Sequence, residues 1–137
     1  MVLFICNGNV ARSQIAAELY RERTQKMVTS AGTKVKDCKS GVSLKDDGPL
    51  AENAISCIQS ITGIDLSNKK RTPISEELCL KSSQIIIMAD KNSLPDYIYN
   101  YYSKIAFWKI EDPKDFDFEG YKKIINQIQN NIEILAP

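Results

Sequence analysis

Residues 2–13 read Val2-Leu3-Phe4-Ile5-Cys6-Asn7-Gly8-Asn9-Val10-Ala11-Arg12-Ser13. The first four are continuously apolar, the pattern of a strand buried on both faces. Asn7-Gly8-Asn9 is a turn cluster whose residues tolerate positive φ. After it, Ile15, Ala16, Leu19, Tyr20 and Arg23 recur at helical spacing. The order is strand, polar loop, helix, with Cys6 where the strand ends. Open parallel sheets bind ligands beyond the carboxyl ends of their strands, so this loop is where a ligand belongs.

The rest of the chain repeats the alternation. Val28-Thr29-Ser30-Ala31, ended by Gly32, suits a second strand, and residues 33–48 read as a polar loop. Leu50, Ala51, Ala54, Ile55, Ile58 and Ile61 predict an amphipathic helix closed by Gly63. Thr72-Pro73 followed by Ser75-Glu76-Glu77 reads as an N-cap, a Pro at the first helical position and an acidic first turn. Gln84-Ile85-Ile86-Ile87-Met88 predicts a third strand and Ile105-Ala106-Phe107-Trp108 a fourth. A short tyrosine-rich helix (Tyr97 to Tyr102) lies between them. Phe118, Tyr121, Ile124, Ile125, Ile128, Ile132 and Leu135 form a closing helical stripe. The expected fold class is α/β: one domain, residues 1–137, with a four-stranded parallel sheet flanked by helices on both faces.

Composition excludes several kinds of chemistry. With 137 residues, 43% hydrophobic and 26% charged, the chain is neither disordered nor a disulfide miniprotein. It has no histidine, which removes Ser-His and Cys-His catalytic pairs and His-ligated metal sites. Eighteen Lys and Arg against 17 Asp and Glu leave a net charge of +1, too little for a global field that holds DNA or an anionic membrane. Lys69-Lys70-Arg71 is short and reads as a solvated loop, so no nucleic-acid partner is expected. Cys6, Cys38, Cys57 and Cys79 form no CxxC pair, and the first residues lack the pattern of a secretory signal. The expectation is a cytoplasmic protein with free thiols, no membrane partner and no metal or cofactor. The oligomeric state is not legible, and a monomer is assumed.

The Cys6 loop carries the chemistry. Five residues separate Cys6 from Arg12, enough to curl round one phosphate-sized oxyanion. The loop amides and the helix N-terminus favour an anion, and Arg12 can grip two of its oxygens in a fork. The same electropositive cradle favours the thiolate of Cys6, its nucleophilic form. A chance Cys-x5-Arg in a chain with these counts arises at roughly 12%, and roughly 1% once Ser must follow, so the surrounding strand, glycine and helix matter.

With these residues in view, the sequence resembles the low-molecular-weight protein tyrosine phosphatase family, which includes thioredoxin-coupled arsenate reductases. The blocks that carry the resemblance are Val2 to Ala17, Ser30-Ala31-Gly32-Thr33, Gly63 to Leu78, Ile85 to Asn92 and Asp112-Pro113, in the family's order. The resemblance implies that Cys6 attacks phosphorus to give a phosphocysteine. Arg12 would bind the equatorial oxygens, Ser13 would hydrogen-bond the thiolate, and Asn9 would hold the loop in shape. Asp112 would act as general acid and then base. The phosphate cradle would be Asn7, Gly8, Asn9, Val10, Ala11, Arg12 and Ser13. Substrates would be a phosphorylated protein or a small aryl phosphate.

Some positions depart from the family pattern. Ala11 stands where many members carry a second, protective cysteine, and Gln14 where many carry proline. Lys114 follows Asp112-Pro113 where tyrosine phosphatases usually have an aromatic residue, so Phe116, Phe118 or the Tyr97–Tyr102 cluster would have to supply an aromatic rim. Relatives that dephosphorylate arginine carry a Thr at the place of Val10, which favours phosphoesters here. Three other readings stay open. One is arginine dephosphorylation; another is arsenate reduction with an external thiol, since no cysteine follows the third strand. The last is a noncatalytic phosphate-binding module.

Overall fold

The computed structural model describes residues 1–137. Four strands, β1 (Val2–Cys6), β2 (Val28–Gly32), β3 (Gln84–Ile87) and β4 (Ile105–Phe107), form one sheet in the order β2-β1-β3-β4. All three pairings are parallel, with Val2 opposite both Val28 and Gln84. The chain reverses direction across the sheet at β1, and the crevice between β1 and β3 opens beside Cys6.

The apolar runs explain this architecture. Val2, Phe4 and Cys6 join Ile86 and Met88 on one face, in a core of 24 buried residues that includes Ile15, Ile58, Tyr121 and Ile128. Leu3 and Ile5 face the other way with Ala31, Ile85, Ile87, Cys79 and Ile98. A strand apolar at every position must be covered on both sides. Three helices belong to the larger core: α1 (Arg12–Thr24), α2 (Pro49–Thr62) and α4 (Phe118–Leu135). The smaller is closed by α3 (Glu76–Lys81) and the 3-10 segment Asp96–Lys104. Each buried Ile of α4 contributes about 1.5–3 kcal/mol of transfer free energy.

The boundaries match the expected elements with corrections. Thr72-Pro73 does not start a helix. Instead Gly32 N donates to Thr72 O at 2.8 Å and Ile74 N to Gly32 O at 2.9 Å, so this stretch extends the edge of β2. Proline has no N–H to lose there, and α3 begins at Glu76, capped by Ser75 Oγ. The tyrosine-rich segment is a 3-10 helix broken at Tyr101. The polar loop contains two 3-10 turns, Asp37–Lys39 and Leu44–Asp46, the second anchored by fully buried Leu44. Gly63 closes α2 at φ 79°, where its N–H reaches Gln59 O. No helix is long and apolar enough to cross a membrane.

Candidate active site

A cavity of about 500 Å³ opens beyond the ends of β1 and β3, and Cys6, Gly8, Arg12, Asp112 and Lys114 are among its walls. Residues 7–11 wind from β1 into α1. Asn9 takes φ 55°, a left-handed conformation that Asn tolerates at a cost of about 1 kcal/mol. Its backbone N–H then lies 3.2 Å from Cys6 Sγ. The amides of Gly8, Val10, Ala11, Arg12 and Ser13 donate to no backbone acceptor, so the loop keeps unspent N–H groups where it enters α1.

Cys6 is buried, and Ser13 Oγ lies 3.0 Å from its sulfur. Asn9 stands behind the loop, fully buried. Its Nδ2 donates to Ser13 Oγ at 2.8 Å and to Ser30 Oγ at 3.0 Å, and its Oδ1 accepts from Thr72 N at 2.8 Å. Ser13 sits in the first turn of α1 but is not its cap, a position that Ala11 holds. Neither Asn9 nor Ser13 lines the cavity; their side chains face the loop's interior.

Arg12 is 4% exposed. Its Nη1 donates to Met88 O at 2.6 Å and Ile110 O at 2.9 Å, the carbonyls just beyond β3 and β4. Its Nη2 lies 3.7 Å from Asp112 Oδ2. Half of the guanidinium is anchored to the sheet, leaving the other edge to the cavity and to Asp112. Asp112 is half exposed, and its Oδ1 accepts from Lys114 N at 3.2 Å, an Asx turn that fixes the loop.

Asn7 clamps the loop to the end of β3. Its Oδ1 accepts from Asp90 N at 2.9 Å and its Nδ2 donates to Asp90 Oδ2 at 3.1 Å. Hydrogen bonds from Lys34 and Asn7 hold the Asp90 carboxyl below the usual carboxylate range.

The structure thus brings Cys6, Asn7, Gly8, Val10, Ala11, Arg12 and Asp112 to one cavity, while Asn9 and Ser13 of the expected cradle pack inside the loop and not in the cavity wall. Other expectations need correction. Arg71 is not part of a solvated loop. Its side chain is 12% exposed and lines the cavity, with Nε donating to Gly8 O at 2.9 Å and Nη1 paired to Asp47 at 3.2 Å. Asp47, 7% exposed, also pairs with Lys39 Nζ at 3.0 Å. None of Phe116, Phe118 or Tyr97 to Tyr102 reaches the cavity. The aromatic residue there is Tyr121, whose hydroxyl is pushed up to about 12 by burial and by the charges of Cys57 and Asp112. Charge pairing gave no sequence signal for Arg71, because its partner lies 24 positions away.

The remaining cysteines are dispersed. Cys38 is exposed on a 3-10 turn, while Cys57 and Cys79 are buried in the two separate cores. Burial, with the Asp117 charge for Cys57 and mainly Glu76 for Cys79, pushes both thiols up. No group of three or more Cys, Asp or Glu side chains is placed to hold a metal ion.

The sequence model described as low molecular weight phosphotyrosine protein phosphatase matches residues 1–136. Solved structures share the fold. A low molecular weight protein tyrosine phosphatase from T. tengcongensis is 25% identical at TM-score 0.80, over 98% of this chain and 95% of that one. Wzb of Vibrio vulnificus, in complex with benzylphosphonate, is 19% identical at TM-score 0.79, with the same coverage. The YwlE arginine phosphatase of Geobacillus stearothermophilus is 21% identical at TM-score 0.76, over 98% of this chain and 89% of that one.

Proposed function

The chain belongs to the low molecular weight phosphotyrosine protein phosphatase family and is a phosphatase, and from that premise we propose that it hydrolyses phosphotyrosyl or small aryl phosphate esters through a Cys6 phosphocysteine. The observation that carries this reading is the environment of one sulfur. Cys6 Sγ lies at a cavity wall with the Asn9 N–H and the Ser13 hydroxyl beside it and Arg12 lining the same cavity.

The steps follow from these positions. Cys6 Sγ forms a bond to phosphorus as the ester P–O bond breaks. The loop amides and the free edge of Arg12 hold the three equatorial oxygens, where charge is spread in the transition state. Asp112 protonates the leaving oxygen. Water then attacks phosphorus while Asp112 takes its proton, the S–P bond breaks, and the electron pair returns to sulfur. Ser13 donates to that sulfur as it leaves.

Val10 supports phosphoester over phosphoarginine substrates, because it offers no hydroxyl at the loop position where arginine-directed relatives have Thr. Cys57 and Cys79 are buried in two separate cores, which argues against a disulfide relay. A cytoplasmic setting fits the four free thiols and belongs to this proposal.

The test is hydrolysis of an aryl phosphate and a phosphotyrosyl peptide, with chelator present, by the wild type, Cys6→Ser and Asp112→Ala. Wild-type turnover lost in Cys6→Ser is the expected result. Full activity in Cys6→Ser overturns the mechanism. Arsenate reduction with a thiol donor by a wild type inert on phosphate esters would replace it with the reductase reading.

A further inference from the structure

Gln14 is 4% exposed in the first turn of α1, and its side chain points back into the loop. Its Nε2 lies 3.2 Å from Asn9 O, 3.2 Å from Asn9 Oδ1 and 3.1 Å from Lys70 O. An amide nitrogen has two hydrogens. One goes to Lys70 O, and the other is shared between the two oxygens of Asn9.

These bonds fix a direction. Thr72 N–H is a backbone donor and can only donate, so the atom of Asn9 facing it must be the oxygen. Gln14 Nε2 approaches the same oxygen. The Asn9 Nδ2 group therefore faces Ser13 and Ser30, and its two hydrogens are spent on those hydroxyls. Ser13 Oγ accepts from Asn9, which leaves its own hydrogen for Cys6 Sγ, 3.0 Å away, when the sulfur is a thiolate and can only accept. The sulfur then receives two donors, Ser13 O–H and Asn9 N–H, an arrangement that suits a thiolate.

We propose that Gln14 is a positioning residue of this phosphatase, one that fixes the Asn9 amide so that Ser13 donates to Cys6. It touches neither substrate nor sulfur and acts through Asn9 and Ser13. The proposal rests on the phosphocysteine reading for its effect on turnover. Breakage of the S–P bond leaves the electron pair on sulfur, where the Ser13 proton stabilises it. Gln14 also holds Asn9 O, the carbonyl of the residue kept at φ 55°. Without Gln14, the buried oxygens of Asn9 lose a donor and the loop loses its tie to Lys70 O.

The experiment uses the full chain with Gln14→Met, which keeps the length and removes both donors, and Gln14→Glu, which keeps the shape and sets a carboxylate against three oxygens. Should either variant fail to fold, the other carries the measurement. The expected result with an aryl phosphate is a fall in kcat of about tenfold with KM within about twofold. Independently of turnover, the pH midpoint for alkylation of Cys6 by iodoacetate, followed by mass spectrometry, moves upward. Both effects shrink in a Ser13→Ala background, because the link they act through is gone. A lower melting temperature with unchanged kcat and alkylation profile assigns Gln14 a structural role only and overturns the proposal, as does an undiminished effect in Ser13→Ala. Failure of the phosphocysteine reading is seen separately, as activity retained in Cys6→Ser, and leaves the alkylation arm intact.

Discussion

Arg12 Nη2 stands 3.7 Å from Asp112 Oδ2, while Nη1 of the same guanidinium is fixed to the carbonyls of Met88 and Ile110. One arginine thus joins the loop after β1, the segments just beyond β3 and β4 and the loop that carries Asp112. In the mechanism proposed above, a phosphoryl group entering the cavity would take over the free edge of Arg12 and leave the Asp112 carboxyl to the ester oxygen.

Asp112→Ala removes the proposed proton donor but not the proposed nucleophile. The kcat for esters with poor leaving groups falls by about 10²–10⁴-fold, and by less for activated aryl phosphates whose phenolate leaves unaided. A leaving-group series measured on wild type and variant reads this directly. Equal losses along the series would show that Asp112 only positions Arg12.

Gly32 is where the end of β2 meets the phosphate loop. A Cβ there would lie 2.7 Å from Asn7 O, 2.7 Å from Val35 Cγ2 and 2.9 Å from Asn9 N. Two of these atoms are loop backbone and cannot rotate away. Gly32→Ala is expected to cost about 1–3 kcal/mol in denaturant unfolding and to lower kcat, because the loop must shift.

Lys114 occupies the wall beside Asp112 and Pro113. Lys114→Tyr supplies an aromatic face worth about 0.5–1.5 kcal/mol against a phenyl ring. The ratio of kcat/KM for aryl over alkyl phosphates is expected to rise several-fold in steady-state assays. An unchanged ratio would mean that the substrate ring does not pass this wall.

Tyr121 gives the fold an alkaline limit. Its hydroxyl is pushed up to about 12, first by burial and then by Cys57 and Asp112. An unfolded tyrosine titrates near ~10. The folded state therefore holds the proton more tightly, and this stability is fully present below pH ~10 and lost as pH rises toward about 12. The contribution is about 2 kcal/mol. Urea unfolding of wild type and Tyr121→Phe at pH 8 and pH 11 should show the variant losing less stability between them.

Much of the molecule is legible in local sequence. Continuous apolar runs at residues 2–5 and 85–88 determine strands covered on both faces, since no other element buries every consecutive side chain in so short a length. The Ile stripe of residues 124–132 determines α4, and the Cys6-to-Arg12 spacing between a strand and a helix brings both residues to the wall of one cavity. These are periodicities and spacings within one segment. What only the tertiary structure decided are relations between segments. The acceptors of Arg12 are carbonyls of Met88 and Ile110, which any residue would present, so no sequence pattern marks them. Arg71 leaves solvent because Asp47 and Gly8 O meet it there. Thr72 pairs with Gly32 and Asn9 rather than capping a helix because the backbone of β2 is already in place beside it. Hydrogen bonds to backbone atoms carry no residue identity, and charge pairs across 24 or more positions form only after the sheet has brought its loops to one end.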